Sequence, residues 1–186
     1  PKLVAIFSLL DGSICFAMEP IENATTLSEL LVESEAFATA FQLNLIGNIS
    51  AEVMDTLKRF GLENYICNRG YVPHNTLLEY QKKTQLLLLI EEDSKETEYI
   101  IPGKLFEYMA AQRPVLGIGP KPSDMQSLFE KHQLGVYVSF DEEALIEKTL
   151  IDWFVNNDLP QPPKSIASYE RNVIAQEYLD LIRLLT

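Results

Sequence analysis

Short apolar runs alternate with helix-periodic stretches along nearly the whole chain, and this alternation restricts the fold more than any other feature. Leu3–Leu10 is almost entirely apolar, as a strand buried on both faces should be. Asn23–Phe41 follows with Leu27, Leu30, Leu31 and Phe37 on a helical period. Gln42–Ile46 is strand-like and ends at Gly47. Ser50 begins a capping-box-like start, with Val53 where Glu is ideal, so Ala51–Phe60 is expected to be a helix that Gly61 closes. Tyr65–Tyr71 is the third expected strand. Pro73 interrupts, and Asn75 is placed to cap a helix over Thr76–Lys83.

The second half repeats the pattern. Gln85–Ile90 is a leucine-rich strand, Glu91–Glu98 a charged loop, and Lys104–Gln112 a helix opened by Pro102-Gly103. Pro114–Ile118 and Gly135–Val138 are short strands. Ser123–His132 and Asp141–Asn157 are helices. Pro160, Pro162 and Pro163 form a linker before an amphipathic terminal helix, Ile166–Leu185.

Parallel neighbours require long crossovers, usually helical, and each crossover helix must pack back onto the sheet. The expected fold is therefore α/β: a Rossmann-like doubly wound parallel sheet of about six strands with helices on both faces. The proline-rich linker sets off only the last helix, so residues 1–186 read as one domain with 164–186 as its C-terminal helix.

The length of 186 residues suits one domain, and a 47% hydrophobic fraction supports a core. Lys and Arg total 15 against 27 Asp and Glu, for a net charge of −12. That balance opposes nucleic-acid binding and direct contact with an anionic membrane. It leaves room for a local cationic site. No apolar run approaches the ~20 residues a bilayer requires. Lys2 and the following apolar run resemble a leader only superficially, since Asp11 follows and no small-residue cleavage site appears. Cys15 and Cys67 are too few for a disulfide framework or a zinc site and read as small core residues in a reducing compartment. The first residue is Pro1, so the chain is expected to be part of a longer protein.

Ligands of doubly wound sheets bind beyond the carboxyl ends of the strands. No phosphate-loop, zincin or nucleophile-elbow motif occurs, and Gly117-Ile118-Gly119 is an incomplete dinucleotide fingerprint on a late strand. The most informative stretch is Ile100-Ile101-Pro102-Gly103-Lys104-Leu105-Phe106-Glu107-Tyr108-Met109-Ala110-Ala111-Gln112-Arg113-Pro114-Val115-Leu116. Amides of Lys104 and Leu105 at a helix start would face the crevice as an anion site, with the Lys104 ammonium beside them. Glu107 lies on nearly the same helical face. A carboxylate there cannot bind phosphate but can accept both hydrogen bonds of a ribose diol. The plainer alternative is a surface pair between Lys104 and Glu107.

This stretch resembles the donor-binding segment of GT-B glycosyltransferases close to family 4, above all the bacterial polysaccharide-synthesis members. Leu43-Asn44-Leu45-Ile46-Gly47, Gly70-Tyr71-Val72-Pro73-His74 and Gly135-Val136-Tyr137-Val138 resemble further family segments in matching order. The resemblance implies the C-terminal, nucleotide-sugar-binding domain of a two-domain enzyme. Glu107 is then the ribose ligand. Gly103, Lys104 and Leu105 form the diphosphate-binding helix start. Tyr71, Val72, Pro73 and His74 border the base, and Gly12 lies in the donor loop after the first strand. The donor is implied to be UDP- or GDP-linked. Transfer, to a glycan or lipid-linked acceptor in surface polysaccharide synthesis, is implied to need no metal or other cofactor and to retain anomeric configuration. The acceptor domain is expected outside this chain, which by itself would be inactive. A cytoplasmic location is implied, at the inner membrane face through the other domain.

Three departures stand against the family pattern. Tyr99 occupies the position eight residues before Glu107, where a first glutamate is usual, with Glu98 beside it. Met18 stands where related enzymes carry an arginine in the loop after the first strand. The acceptor half, with any catalytic base, is absent. The rival readings are a partner-dependent or non-catalytic nucleotide-sugar-binding subunit and a nucleotide-sugar epimerase-like domain.

Other candidates read more plainly. His132 ends a helix, where the dipole favours a cation. Lys121 and Ser123 lie in a rim loop, Ser123 as an N-cap. Glu91, Glu92, Asp93, Glu96 and Glu98 read as a mobile solvated loop, lacking a Ca²⁺ ligand pattern. Trp153 and Phe154 read as core. The terminal helix is expected to expose an apolar face in the absence of a second domain.

Overall fold

The computed structural model describes residues 3–8, 21–91, 94–161, 169 and 171–185. The strands are β1 (Leu3–Ser8), β2 (Phe41–Ile46), β3 (Ile66–Asn68), β4 (Leu86–Ile90), β5 (Val115–Ile118) and β6 (Gly135–Val138). Every pairing among them is parallel, and the order across the sheet is β3-β2-β1-β4-β5-β6. The chain steps outward from β1 to β3, then returns to place β4 beside β1. The direction of winding reverses there, so the β1–β4 gap is the topological switch point where such sheets bind ligands.

The helices are α1 (Ile21–Glu33), α2 (Glu35–Ala40), α3 (Ala51–Arg59), α4 (His74–Lys83), α5 (Gly103–Ala111), α6 (Asp124–His132), α7 (Glu143–Phe154) and α8 (Arg171–Leu185). The first seven cover the sheet in two layers. Leu30, Leu31, Phe37, Val53, Leu57, Ile146, Leu150, Trp153 and Phe154 bring α1, α2, α3 and α7 onto one face, against Leu43, Leu45, Leu86, Leu116 and Ile118. Leu77, Leu105, Tyr108, Met109, Met125 and Phe129 bring α4, α5 and α6 onto the other, against Ile46, Leu87, Leu89 and Val115. Adjacent leucines of β4 enter opposite cores because side chains alternate along a strand. The α/β class and the parallel sheet are therefore as expected, and Trp153 and Phe154 are core.

Several boundaries differ from expectation. The helix expected over Asn23–Phe41 breaks at Ser34, whose extended backbone and side-chain oxygen (3.2 Å from the Phe37 amide) cap a new helix. Phe41 consequently opens β2. β3 is short, because Glu63–Tyr65 coils as a 3-10 turn and the chain leaves the sheet after Asn68. Asn75 does not cap α4. The cap position is Pro73, whose ring carries no acceptor for a cap bond but whose fixed φ sets the helix entry. Ser50 and Ser123 do cap α3 and α6.

Gly135 shows a close approach that only glycine permits. Its φ is +147°, and a Cβ there would lie 2.8 Å from the Val115 nitrogen and overlap the Val115 carbonyl oxygen. This is the point where β6 meets β5.

Candidate functional site

The carboxyl edge of the sheet gathers the starts of α4, α5 and α6. The 70–74 turn leaves β3 and leads into α4. Gly47 donates its amide to Gly70 O (2.9 Å), tying this turn to the end of β2. Gly70 adopts φ +62°, and its amide is held by Asn68 Oδ1 at 3.0 Å. Tyr71 is 80% exposed at the turn, whereas Val72 is partly buried against the core that α4, α5 and α6 cover.

Of the residues singled out from sequence, His74 and Glu107 meet. His74 Nε2 lies 3.2 Å from Glu107 Oε1. Gln81 Nε2 donates to the other carboxylate oxygen at 3.3 Å. Glu107 is thus held by two groups of α4, and its paired partner is His74 rather than the Lys104 that a surface pair would use. The His74 side chain is 56% exposed and that of Glu107 23%, so the pair is open to solvent and is weak as a stabilising contact.

At the start of α5 one expectation changes. The Leu105 amide donates to Pro102 O at 2.9 Å, and its side chain is fully buried. A tight first turn has consumed that donor, so an anion here would be met by the amides of Gly103 and Lys104 instead. Gly103 has open space where a Cβ would stand. Gly12, Cys15 and Met18 lie outside the described residues.

Beneath the 70–74 turn lies a polar cluster not foreseen from sequence. Arg69 Nε donates to Asn44 Oδ1 at 2.7 Å, and its guanidinium stacks over the Tyr80 ring at 4.8 Å. Asn44 is 1% exposed, with its Nδ2 buried and without a partner among the described residues. The signals were present. Asn44 interrupts an apolar strand, and Gln81 follows buried Leu77 by one helical turn, on the face where another leucine would be ordinary.

Glu91 is the second correction. It does not belong to a solvated loop. Its amide donates to Ile118 O at 2.8 Å, extending the β4–β5 ladder by one residue. Burial pushes its carboxyl up to about 7, while the nearby Lys104 ammonium pulls the other way. Downstream, Glu96–Tyr99 forms a 3-10 turn in which buried Thr97 donates to Ser94 O at 2.7 Å. Tyr99 is exposed. Glu92 and Asp93 lie outside the described residues, and no group that could hold a metal ion occurs among the described residues.

The remaining candidates are structural. Lys121 pairs with Glu142 at 2.5 Å, bridging the loops after β5 and β6 and holding the Glu142 carboxyl below its ordinary range. His132 is buried, with Nε2 3.0 Å from the Tyr169 hydroxyl. Burial lowers its pKa, and the neighbouring Lys131 charge adds to this. The direction is opposite to the one a helix-end dipole alone would give, because desolvation disfavours the charged imidazolium. Cys67 is free and half-buried. On α8, Tyr178, Leu179, Leu181 and Ile182 are exposed. No described helix is long and apolar enough to cross a membrane.

No protein family and no curated protein matches the chain by sequence. Solved structures match by fold. The lipopolysaccharide outer core galactosyltransferase WaaB in its apo form superposes with a TM-score of 0.63 at 14% identity, over 100% of this chain and 49% of WaaB. Anabaena Alr3699/HepE in complex with UDP gives 0.57 at 18% identity, over 97% of this chain and 48% of that protein. A putative UDP-N-acetylglucosamine 2-epimerase from Listeria monocytogenes gives 0.54 at 15% identity, over 98% of this chain and 44% of the epimerase. The chain therefore spans about half the length of these proteins. At such identities the likeness establishes a fold shared with about half of each of these proteins, a galactosyltransferase and an epimerase among them.

Proposed function

We propose that this chain is the donor-binding part of a glycosyltransferase that takes a sugar from a UDP- or GDP-linked donor. The observation that carries this is the convergence of His74 and Glu107 at the carboxyl edge of a doubly wound sheet. A carboxylate one turn inside α5, facing the crevice and steadied by Gln81, suits a ribose diol. The α5 start, with Gly103 and Lys104, suits the diphosphate. Tyr71, Val72 and Pro73 border the base. The donor adds acceptors where the protein presents helix-end donors and a lysine, so the departing diphosphate meets preorganised positive potential without a metal. Structural likeness to a galactosyltransferase, and to a protein crystallised with UDP, supports this reading.

A second domain, in the same protein or a partner chain, supplies the acceptor and completes the catalytic site, in surface polysaccharide synthesis on the cytoplasmic side of the membrane. The exposed apolar residues of α8 are consistent with such a neighbour. Isolated, the chain binds donor and transfers nothing.

Calorimetric titration with UDP and with GDP tests the reading. Binding of either at millimolar concentration or tighter, lost in Glu107→Ala, supports it. Absence of binding by both rejects it. The epimerase likeness keeps one rival: incubation with UDP-N-acetylglucosamine and no acceptor gives unchanged sugar under the transferase reading and a second epimer under the other.

A further inference from the structure

The order of helix starts along the sheet edge gives a bound donor a direction. The 70–74 turn opens α4, Gly103 opens α5, and Asp124 opens α6, all on the same face of the sheet. A donor with its base at the 70–74 turn, its ribose at Glu107 and its diphosphate at the α5 start has its sugar still to place. It continues away from β3, across the ends of β4 and β5. There it meets a wall built from Glu91, Gly119 and Tyr137.

That wall is rigid. Glu91 is pinned by its amide bond to Ile118 O at 2.8 Å. The Tyr137 hydroxyl donates to Pro120 O at 3.0 Å and accepts from Ser123 Oγ at 3.1 Å. Gly119 leaves the gap that Glu91 and Tyr137 fill. A Cβ at residue 119 would lie 3.1 Å from Glu91 Cβ and 3.3 Å from its Cγ, and would overlap the Tyr137 hydroxyl. Glu91 therefore stands at the carboxyl end of β4, packed against Gly119, at this part of the edge. Desolvating a carboxyl opposes folding, and glutamine would fill the same volume without that cost. A carboxyl kept close to neutrality by burial, with its pKa near 7, either accepts from or donates to a hydroxyl. That is the chemistry a sugar ring demands.

We propose that Glu91 contacts the sugar of the donor rather than its nucleotide, and so selects which sugar the chain holds. This inference rests on the donor-site reading, and its test separates the two. Calorimetry compares UDP with UDP-glucose, UDP-galactose and UDP-N-acetylglucosamine, and GDP with GDP-mannose, on the 186-residue chain and on Glu91→Gln, Glu91→Ala and Glu107→Ala. At least one nucleotide sugar is expected to bind more tightly than its bare nucleotide. Glu91→Gln and Glu91→Ala are expected to lose about tenfold of that advantage, the effect of one hydrogen bond in a desolvated site, while nucleotide affinity does not fall, because removing the Glu91 charge leaves the nearby Lys104 ammonium to the diphosphate. Glu107→Ala is expected to weaken both ligands alike. The sugar assignment is overturned if wild type gains nothing from any sugar, or if the Glu91 variants keep the gain. It is also overturned if they lose nucleotide and nucleotide sugar equally, or if both variants fail to melt cooperatively, which makes Glu91 a structural residue. No nucleotide binding by wild type overturns the donor-site reading itself.

Discussion

His74 Nε2 and Glu107 Oε1 lie 3.2 Å apart, joining the turn after β3 to the first turns of α5 across 33 residues of sequence. Both are at the sheet edge, and both are presented by helices that pack on the same core. The contact adds little to stability because His74 is largely exposed, which leaves it available to a ligand.

His74→Ala is accordingly expected to change unfolding free energy by less than ~1 kcal/mol. It should lower UDP or GDP affinity severalfold by releasing the Glu107 carboxylate. Glu107→Ala should lower it by tenfold or more, since it deletes a charged acceptor. Chemical denaturation and calorimetry of the same preparations check both. A large stability loss in His74→Ala with unchanged affinity contradicts the site.

Stability should depend on pH through two groups of opposite sign. Folding raises the Glu91 carboxyl from 4.5 to about 7, so the folded state binds more protons than the unfolded one between those values. Stability from this group is greatest at low pH and declines as pH rises from about 4.5 through about 7. Folding lowers the pKa of His132, so its contribution is lost as pH falls below its ordinary 6.5. Denaturation midpoints of wild type and Glu91→Gln across pH 5–8 separate the two. The variant should lose the decline towards high pH and keep the loss towards low pH.

Glycine substitutions should separate site from scaffold. At Gly103 a methyl meets nothing within 4 Å, and helix entry tolerates it, so Gly103→Ala should be stabilising by about 0.4–1 kcal/mol. The same methyl stands over the α5 start and should weaken nucleoside diphosphate binding. Gly135→Ala places its Cβ 2.8 Å from Val115 N and 3.0 Å from Val115 C. Backbone cannot yield as a flexible side chain does, and a loss of roughly 2–5 kcal/mol is expected. Thermal melts and calorimetry measure both.

The core on the α2–α7 side hinges on three rings in mutual contact, Phe37 stacked on Phe41 and edge-on to Phe154. Phe37 is fully buried, 5.1 Å from the Phe41 ring and 5.5 Å from that of Phe154. Phe37→Ala should destabilise by about 3–5 kcal/mol, the range for a buried aromatic truncated to alanine. Because the rings lie on the face opposite α4 and α5, nucleotide affinity of the remaining folded protein should be unchanged. A melt and a titration test the two halves separately.

Periodicity alone determined the class of this protein. Apolar runs bounded by turn residues leave a strand little choice but burial on both faces, and helices of 3.6 period then have to cover it. The segment from Pro102 to Glu107 was legible for a similar reason, since a lysine at a helix start and a carboxylate one turn on are local facts. Ser34 was missed because a serine inside a helical period is ambiguous until its side chain is seen to take the Phe37 amide. Asn44, Arg69 and Gln81 were missed because their meaning lies in contacts between distant segments, Arg69 with Asn44 and Gln81 with Glu107. Glu91 shows the limit most clearly. In sequence it opens an acidic run, and composition assigns such a run to solvent. Only the tertiary structure pins its backbone to Ile118 and lays its side chain against Gly119. Burial depends on which strands become neighbours, and that is settled by the winding of the whole sheet rather than by any stretch of residues.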